Sequence, residues 1–165
     1  MAGKNYRRGT WVEDQAVLYL VANGYWAERS HASKGTFDVR ALSPIHTLLI
    51  SCRRSKPRIV SDKAVLNANR DTILKLALLP TPPNARKEFW HYQDRQKGDH
   101  AGIWRRYLID GTTVTPVPMP PIPRGKDLKA AENRVKEARA RMKSCESADM
   151  PLKKTSCGYE ITLDV

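Results

Sequence analysis

Lys34-Gly35-Thr36-Phe37-Asp38-Val39-Arg40-Ala41-Leu42-Ser43-Pro44-Ile45-His46-Thr47-Leu48-Leu49-Ile50-Ser51-Cys52-Arg53-Arg54 is the stretch on which the fold turns. Aliphatic and β-branched residues run up to both sides of a break at Ser43-Pro44-Ile45-His46, which predicts two short strands joined by a turn. Alternation in the first strand puts Phe37, Val39 and Ala41 on one face and Asp38 and Arg40 on the other. In the second, Leu48, Ile50 and Cys52 share one side, while Leu49, Ser51 and Arg53 project from the opposite one. A carboxylate beside a Ser-x-Arg pair makes a small polar cluster on an otherwise apolar hairpin. Polar groups so placed need partners, and a bound ion or phosphate would be one.

Upstream of the hairpin, Thr10 to Asn23 has helical periodicity, and Gly24 follows where a helix ends. Glu13, Ala16, Val17, Leu20 and Val21 fall on one stripe. Two readings of Glu13 stay open. Thr10-Trp11-Val12-Glu13 has the form of a capping box, and alternatively Glu13 points inward at the Asp38 cluster. Asp14, about 100° further around the helix, is expected to face solvent. Residues 1–9 form a basic entry arm with Lys4, Arg7 and Arg8, which is either solvated or in contact with phosphate. Tyr25 to Ser30 reads as a first strand, followed by a polar loop at residues 31–35. Arg29, Ser33 and Lys34 are thereby expected at the rim of the Asp38 site, and His31 is read as a surface residue before it is read as a base.

Downstream, Arg53-Arg54-Ser55-Lys56-Pro57-Arg58 is the densest basic run in the chain. Such runs usually form a solvated surface, but this one leaves the strand end that carries Ser51 and Arg53, so it is expected to track phosphates. A second helix starts at Ser61-Asp62 and runs to about Leu79, with Val65, Leu66, Asn69, Ile73 and Ala77 near one face. Arg86–Tyr92 and Ile103–Ile109 flank a Gly-containing loop and read as a closing hairpin. Trp90, Tyr92, Trp104 and Tyr107 are expected to pack in the core or across strands, with base stacking as the other use of such rings. Five prolines in residues 115–125 read as an extended linker, closing a domain of residues 1–114. Residues 126–165 are a basic helical tail, in which Leu128, Ala131, Val135, Ala138 and Met142 form a stripe suited to docking on the domain or to pairing in a dimer. The class that follows is α+β, with a central mixed β-sheet flanked by helices and a C-terminal helical tail.

Composition narrows the function classes. The 165 residues carry a formal charge of +12, so a polyanion, and nucleic acid first, is the expected partner. Residues 1–114 hold nineteen basic and ten acidic side chains against ten and seven in the remainder, so that partner should bind the domain. No run of about 18 apolar residues argues for a membrane span. The first residues lack the apolar core of a signal peptide, so secretion is not expected and a cytoplasmic location is. Cys52, Cys145 and Cys157 are odd in number and lack Cys-x-x-Cys spacing, so free thiols are expected and a zinc site is not.

Taken together, Arg7-Arg8-Gly9-Thr10-x-x-Glu13, the helix ending at Gly24, Arg29, Ser33-x-Gly35, Phe37-Asp38-Val39 and the Leu48-Leu49-Ile50-x-x-Arg53 strand resemble the PD-(D/E)XK nuclease superfamily. Within it the likeness is greatest to small archaeal-type and phage-type Holliday junction resolvases, and it covers roughly residues 6–110. The resemblance implies a restriction-endonuclease-like fold and a helix glutamate, a strand aspartate and a Glu/Gln-x-Lys pair around one or two Mg2+ ions, with Mn2+ able to substitute. Such an ion activates water and neutralises charge on the scissile phosphate. Glu13 matches the helix acid and Asp38 the strand acid; Cys52 would offer its backbone carbonyl to the metal. Ser51 stands where Glu or Gln belongs, and Arg53 where Lys belongs. A serine hydroxyl is a short, neutral ligand, and Arg53 keeps a positive charge but cannot give up its proton. Glu28 and Asp62 are carboxylates elsewhere in the chain that could compensate.

Three functions follow as expectations. The first is a Mg2+-dependent, structure-selective endonuclease of recombination and repair that cuts branched DNA, such as four-way junctions, as a homodimer. The second is a nuclease-fold protein that binds structured nucleic acid without cutting it. The third is a basic scaffold or ribonucleoprotein component with no special role for residues 34–54.

Overall fold

The computed structural model describes residues 4–30, 35–56, 61–95, 102–121, 124–147, 153–155 and 158–160. In chain order the elements are α1 (Lys4–Ala22), β1 (Trp26–Arg29), β2 (Val39–Leu42), β3 (Thr47–Ser55), α2 (Asp62–Ala68), α3 (Arg70–Leu78), β4 (Ala85–Gln93), β5 (Ile103–Asp110), β6 (Thr113–Val117) and α4 (Gly125–Ser147). A separate two-stranded ribbon, β7 (Lys153–Thr155) with β8 (Gly158–Glu160), follows.

The expected hairpin is β2–β3, antiparallel, with Val39 opposite Ile50 and Leu42 opposite Thr47. Its turn is closed by Ser43: the backbone N–H donates to the His46 carbonyl at 3.0 Å, and Oγ accepts the His46 N–H at 3.1 Å. Pro44 fixes φ inside the turn. Six strands lie in the order β1-β2-β3-β4-β5-β6. The β3–β4 pair is parallel and the other four pairs are antiparallel, because α2 and α3 carry the chain across between them. This is the mixed sheet flanked by helices that the pattern predicts.

β3 is central and buried from Leu48 to Cys52, which is why it reads as an unbroken apolar run. On one face, Val12, Ala16, Val17 and Leu20 of α1 pack on Val39, Ala41, Ile50, Cys52 and Trp90. On the other, Val65, Ile73 and Leu76 cover Phe89, Tyr107 and Ile109. A single buried acid ties the sheet together beyond β3: Glu88 accepts both Arg106 Nε at 2.7 Å and Nη2 at 2.6 Å, and Trp90 Nε1 at 2.8 Å.

Several local expectations are corrected. α1 begins at Lys4, six residues before Thr10, so Thr10 lies inside the helix and no capping box with Glu13 forms. Gly9 costs a helix interior only about 1 kcal/mol, too little to stop it. The C-terminus is as read: Gly24 takes φ 84°, Gly24 N–H reaches the Val21 carbonyl and Tyr25 N–H the Leu20 carbonyl. Asp14 does not simply face solvent, because Arg139 of α4 donates to it at 3.0 Å. The second helix is two, broken at Asn69, whose side-chain amide turns back to the Val65 carbonyl at 2.8 Å. Phe37 lies across the sheet from Val39 and Ala41, in contact with the α2–α3 side of the core, because the chain bends at Asp38 before β2 starts. Thr115, Pro116 and Val117, expected as linker, form the end of β6, with Pro116 opposite Tyr107. Of the two uses open to the tail stripe, docking is the one observed: Ala131 and Val135 of α4 join the α1 core, and Asn23 Nδ2 donates to the Pro121 carbonyl at 3.2 Å.

Candidate functional site

Asp38 sits in the bend that precedes β2, pinned by its own backbone: its N–H donates to the Ile50 carbonyl at 2.8 Å and its carbonyl accepts the Ser30 N–H at 2.8 Å. The carboxylate therefore faces the middle of β3. Its Oδ2 accepts three hydrogen bonds, from Ser51 Oγ at 2.9 Å, the Cys52 N–H at 2.7 Å and Arg53 Nη1 at 3.0 Å. The same Arg53 Nη1 donates to the Cys52 carbonyl at 2.7 Å. One guanidinium nitrogen thus bridges the strand acid and the backbone carbonyl, with 43% of the Arg53 side chain exposed.

Glu13 comes to this region from α1. Its Oε2 accepts Arg29 Nε at 2.8 Å, and Arg29 Nη1 lies 3.7 Å from Asp14. Both acids act on the Cys52 thiol, which burial first, then Asp38 and Glu13, push well above its usual range, only partly offset by Arg53. A thiol held neutral in this way is no nucleophile. Gly9, Glu13, Cys52, Arg53, Arg54 and Lys56 line a cavity of about 370 Å³, with Lys56 exposed at its rim.

Arg54 faces the α1 side of the sheet. Its guanidinium lies 4.9 Å from the Trp11 ring and 5.8 Å from the Tyr92 ring, and its Nε donates to Asp94 at 2.6 Å. On the opposite face, cross-strand pairing lines up Arg53, His91 and Arg105. His91 is fully buried with neither ring nitrogen hydrogen-bonded, and burial, reinforced by Arg105, lowers its pKa to about 4. It is neutral at pH 7 and adds no third charge to the row.

The donors do not fit a divalent ion. A metal at the position that the resemblance implies needs Glu13, Asp38, an oxygen at position 51 and the Cys52 carbonyl, and Glu13 Oε2 is already paired with Arg29. Ser51 donates to Asp38, and Arg53 already occupies Asp38 Oδ2 and the Cys52 carbonyl with a fixed positive charge. Among the described residues, no group of three His, Cys, Asp or Glu side chains is arranged to hold a metal. Neither compensating carboxylate joins the cluster: Glu28 pairs with Arg40, and Asp62 accepts the Tyr107 hydroxyl at 2.8 Å and lies 3.3 Å from Arg105.

The structure brings together Asp38, Ser51, Cys52 and Arg53, with Glu13, Arg29, Arg54 and Lys56 around them. Ser33, Lys34, His31 and Arg58 lie outside the described residues, as do the side chains of Arg7 and Arg8 within α1. The sequence reading missed two partners. Trp11 went unremarked because it precedes the stripe residue Glu13, and Asp94 because its link to Arg54 spans 40 positions. Among the described residues no helix is long and apolar enough to cross a membrane. A scan against protein-family models and a search of curated proteins both give no match.

Proposed function

We propose that the domain binds the phosphate backbone of structured nucleic acid on a nuclease-type scaffold without cutting it. The observation that carries this reading is the Arg53 guanidinium bridging Asp38 Oδ2 and the Cys52 carbonyl, two of the oxygens that the resemblance implies for a catalytic metal. The motif resemblance and the order of helix, three antiparallel strands, crossover and parallel strand support the scaffold assignment. Anchored through Nη1, Arg53 turns the rest of an exposed guanidinium outward, where it can grip a phosphate with two parallel hydrogen bonds. Lys56 adds a charge at the same rim, and the chain's +12 supplies long-range attraction. Hydrolysis lacks its parts: Arg53 cannot deprotonate a water, and Ser51 brings no carboxylate.

The test is a salt titration and a nicking assay on a labelled four-way junction and its matching duplex, in EDTA and in Mg2+ or Mn2+. Binding should persist in EDTA with no nicks in either metal. Arg53→Ala should weaken binding and flatten the slope of log K against log salt by about 1, the share of one phosphate contact. Metal-dependent nicks that vanish in Asp38→Asn would instead establish a metal-dependent endonuclease and overturn the proposal.

A further inference from the structure

We infer that Trp11 is a stacking platform for an unpaired nucleobase, so that the nucleic acid taken by this domain carries single-stranded or unstacked bases at the Arg53–Lys56 rim. The inference rests on the nucleic-acid reading above and narrows its substrate class.

Trp11 keeps 39% of its surface exposed, a large apolar ring left open on a helix whose neighbouring Val12 is buried at 1%. It stands two residues from both Gly9 and Glu13 on α1, and it meets the basic cavity through Arg54, one of the residues that line it. The ring is held in place: Arg54 lies over it at 4.9 Å, and Tyr92 meets it edge-on with centroids 5.0 Å apart and planes at 63°. Arg54 is itself fixed by Asp94 at 2.6 Å, and Tyr92 leans on Trp104 at 5.0 Å. A ring ordered from behind loses little freedom when a base settles on its open part. Arg54 also offers a positive charge to that stack, and Arg53 and Lys56 take the adjoining phosphates. Aromatic platforms beside a basic track are how proteins hold unpaired bases without reading sequence. In a continuous duplex the bases are stacked on one another and present no free face, so the platform has nothing to hold there.

The experiment measures binding of wild type, Trp11→Ala and Trp11→Phe to labelled oligo-dT, oligo-rU and a blunt duplex by fluorescence anisotropy in EDTA. Trp11→Ala should lose about tenfold in affinity for the single strands and change little on duplex, and Trp11→Phe should recover most of the loss. Equal weakening on all three probes means that Trp11 acts only by positioning Arg54, and it overturns the inference. So does an unchanged Trp11→Ala, or wild type that binds duplex but neither single strand, which leaves the phosphate-binding reading standing. Wild type that binds none of the probes removes both.

Discussion

Replacing Asp38 with alanine should destabilise the protein far more than the loss of a surface acid would. Three donors converge on its Oδ2. Ser51 is fully buried and Cys52 is 5% exposed, so two of those donors have little access to water once the carboxylate is gone. Each buried donor left unpaired costs about 1–3 kcal/mol, whereas the Arg53 pair, nearly half exposed, contributes roughly 0–1 kcal/mol. The Asp38 side chain is itself 23% exposed, so water fills part of the gap and the total should fall near 3 kcal/mol. Asp38→Asn keeps an oxygen for the Ser51 and Cys52 donors and loses only the charge, at about 1 kcal/mol. Urea unfolding followed by tryptophan fluorescence separates the two: at a slope near 2 kcal/mol per molar, alanine should lower the midpoint by about 1.5 M and asparagine by about 0.5 M. Midpoints for the two variants within about 0.2 M of each other would refute the argument, since the acid would then not be holding buried donors. The result governs how activity assays on this site are read, because an alanine variant that fails to bind or cut has lost part of its fold as well as a carboxylate.

Arg106→Met should leave Glu88, 2% exposed, with only the Trp90 donor and cost about 3–5 kcal/mol, seen as a fall in Tm of about 10 °C; adding Glu88→Met should restore most of it. His91 predicts an acid-labile fold. Its folded pKa of about 4 lies below the unfolded 6.5, so stability is intact above pH 6.5 and falls as pH drops toward 4, where the loss reaches about 3 kcal/mol. His91→Leu should flatten that part of the curve in urea unfolding at stepped pH, and identical slopes in the two proteins would sink the assignment.

Much of the fold is legible in the sequence because its central hairpin is written in local signals. A proline turn, an unbroken apolar β3 and a single Ser-x-Arg departure place Asp38, Ser51 and Arg53 together before any tertiary contact is known. What sequence spacing misreads has a common cause, namely contacts made from outside the element. Alternation puts Phe37 beside Val39, but the chain bends at Asp38, whose carboxylate is held by three donors, and Phe37 packs on the other face. The capping-box pattern at Thr10 is genuine as a pattern, yet six earlier residues also suit a helix, and Arg29 takes the carboxylate of Glu13. Prolines marked residues 115–117 as linker, although an outer strand tolerates a residue without an N–H. Arg54 reads as one more charge in a basic run; only the fold reveals that Asp94, Trp11 and Tyr92 hold it.

The two outer strands of the sheet bear on how the protein behaves at high concentration. β1 is four residues long, and β6 is five residues long with Pro116 near its end, paired inward only to β5. An open strand edge is a template on which a further strand can be added from another molecule, and this is how soluble sheets begin to aggregate. A four-residue strand gives such a template little length, and a proline removes one of the donors that a newcomer would need. The sheet is thus blunted at both margins, and a chain rich in β-branched and aromatic strands can be concentrated without its sheets joining edge to edge.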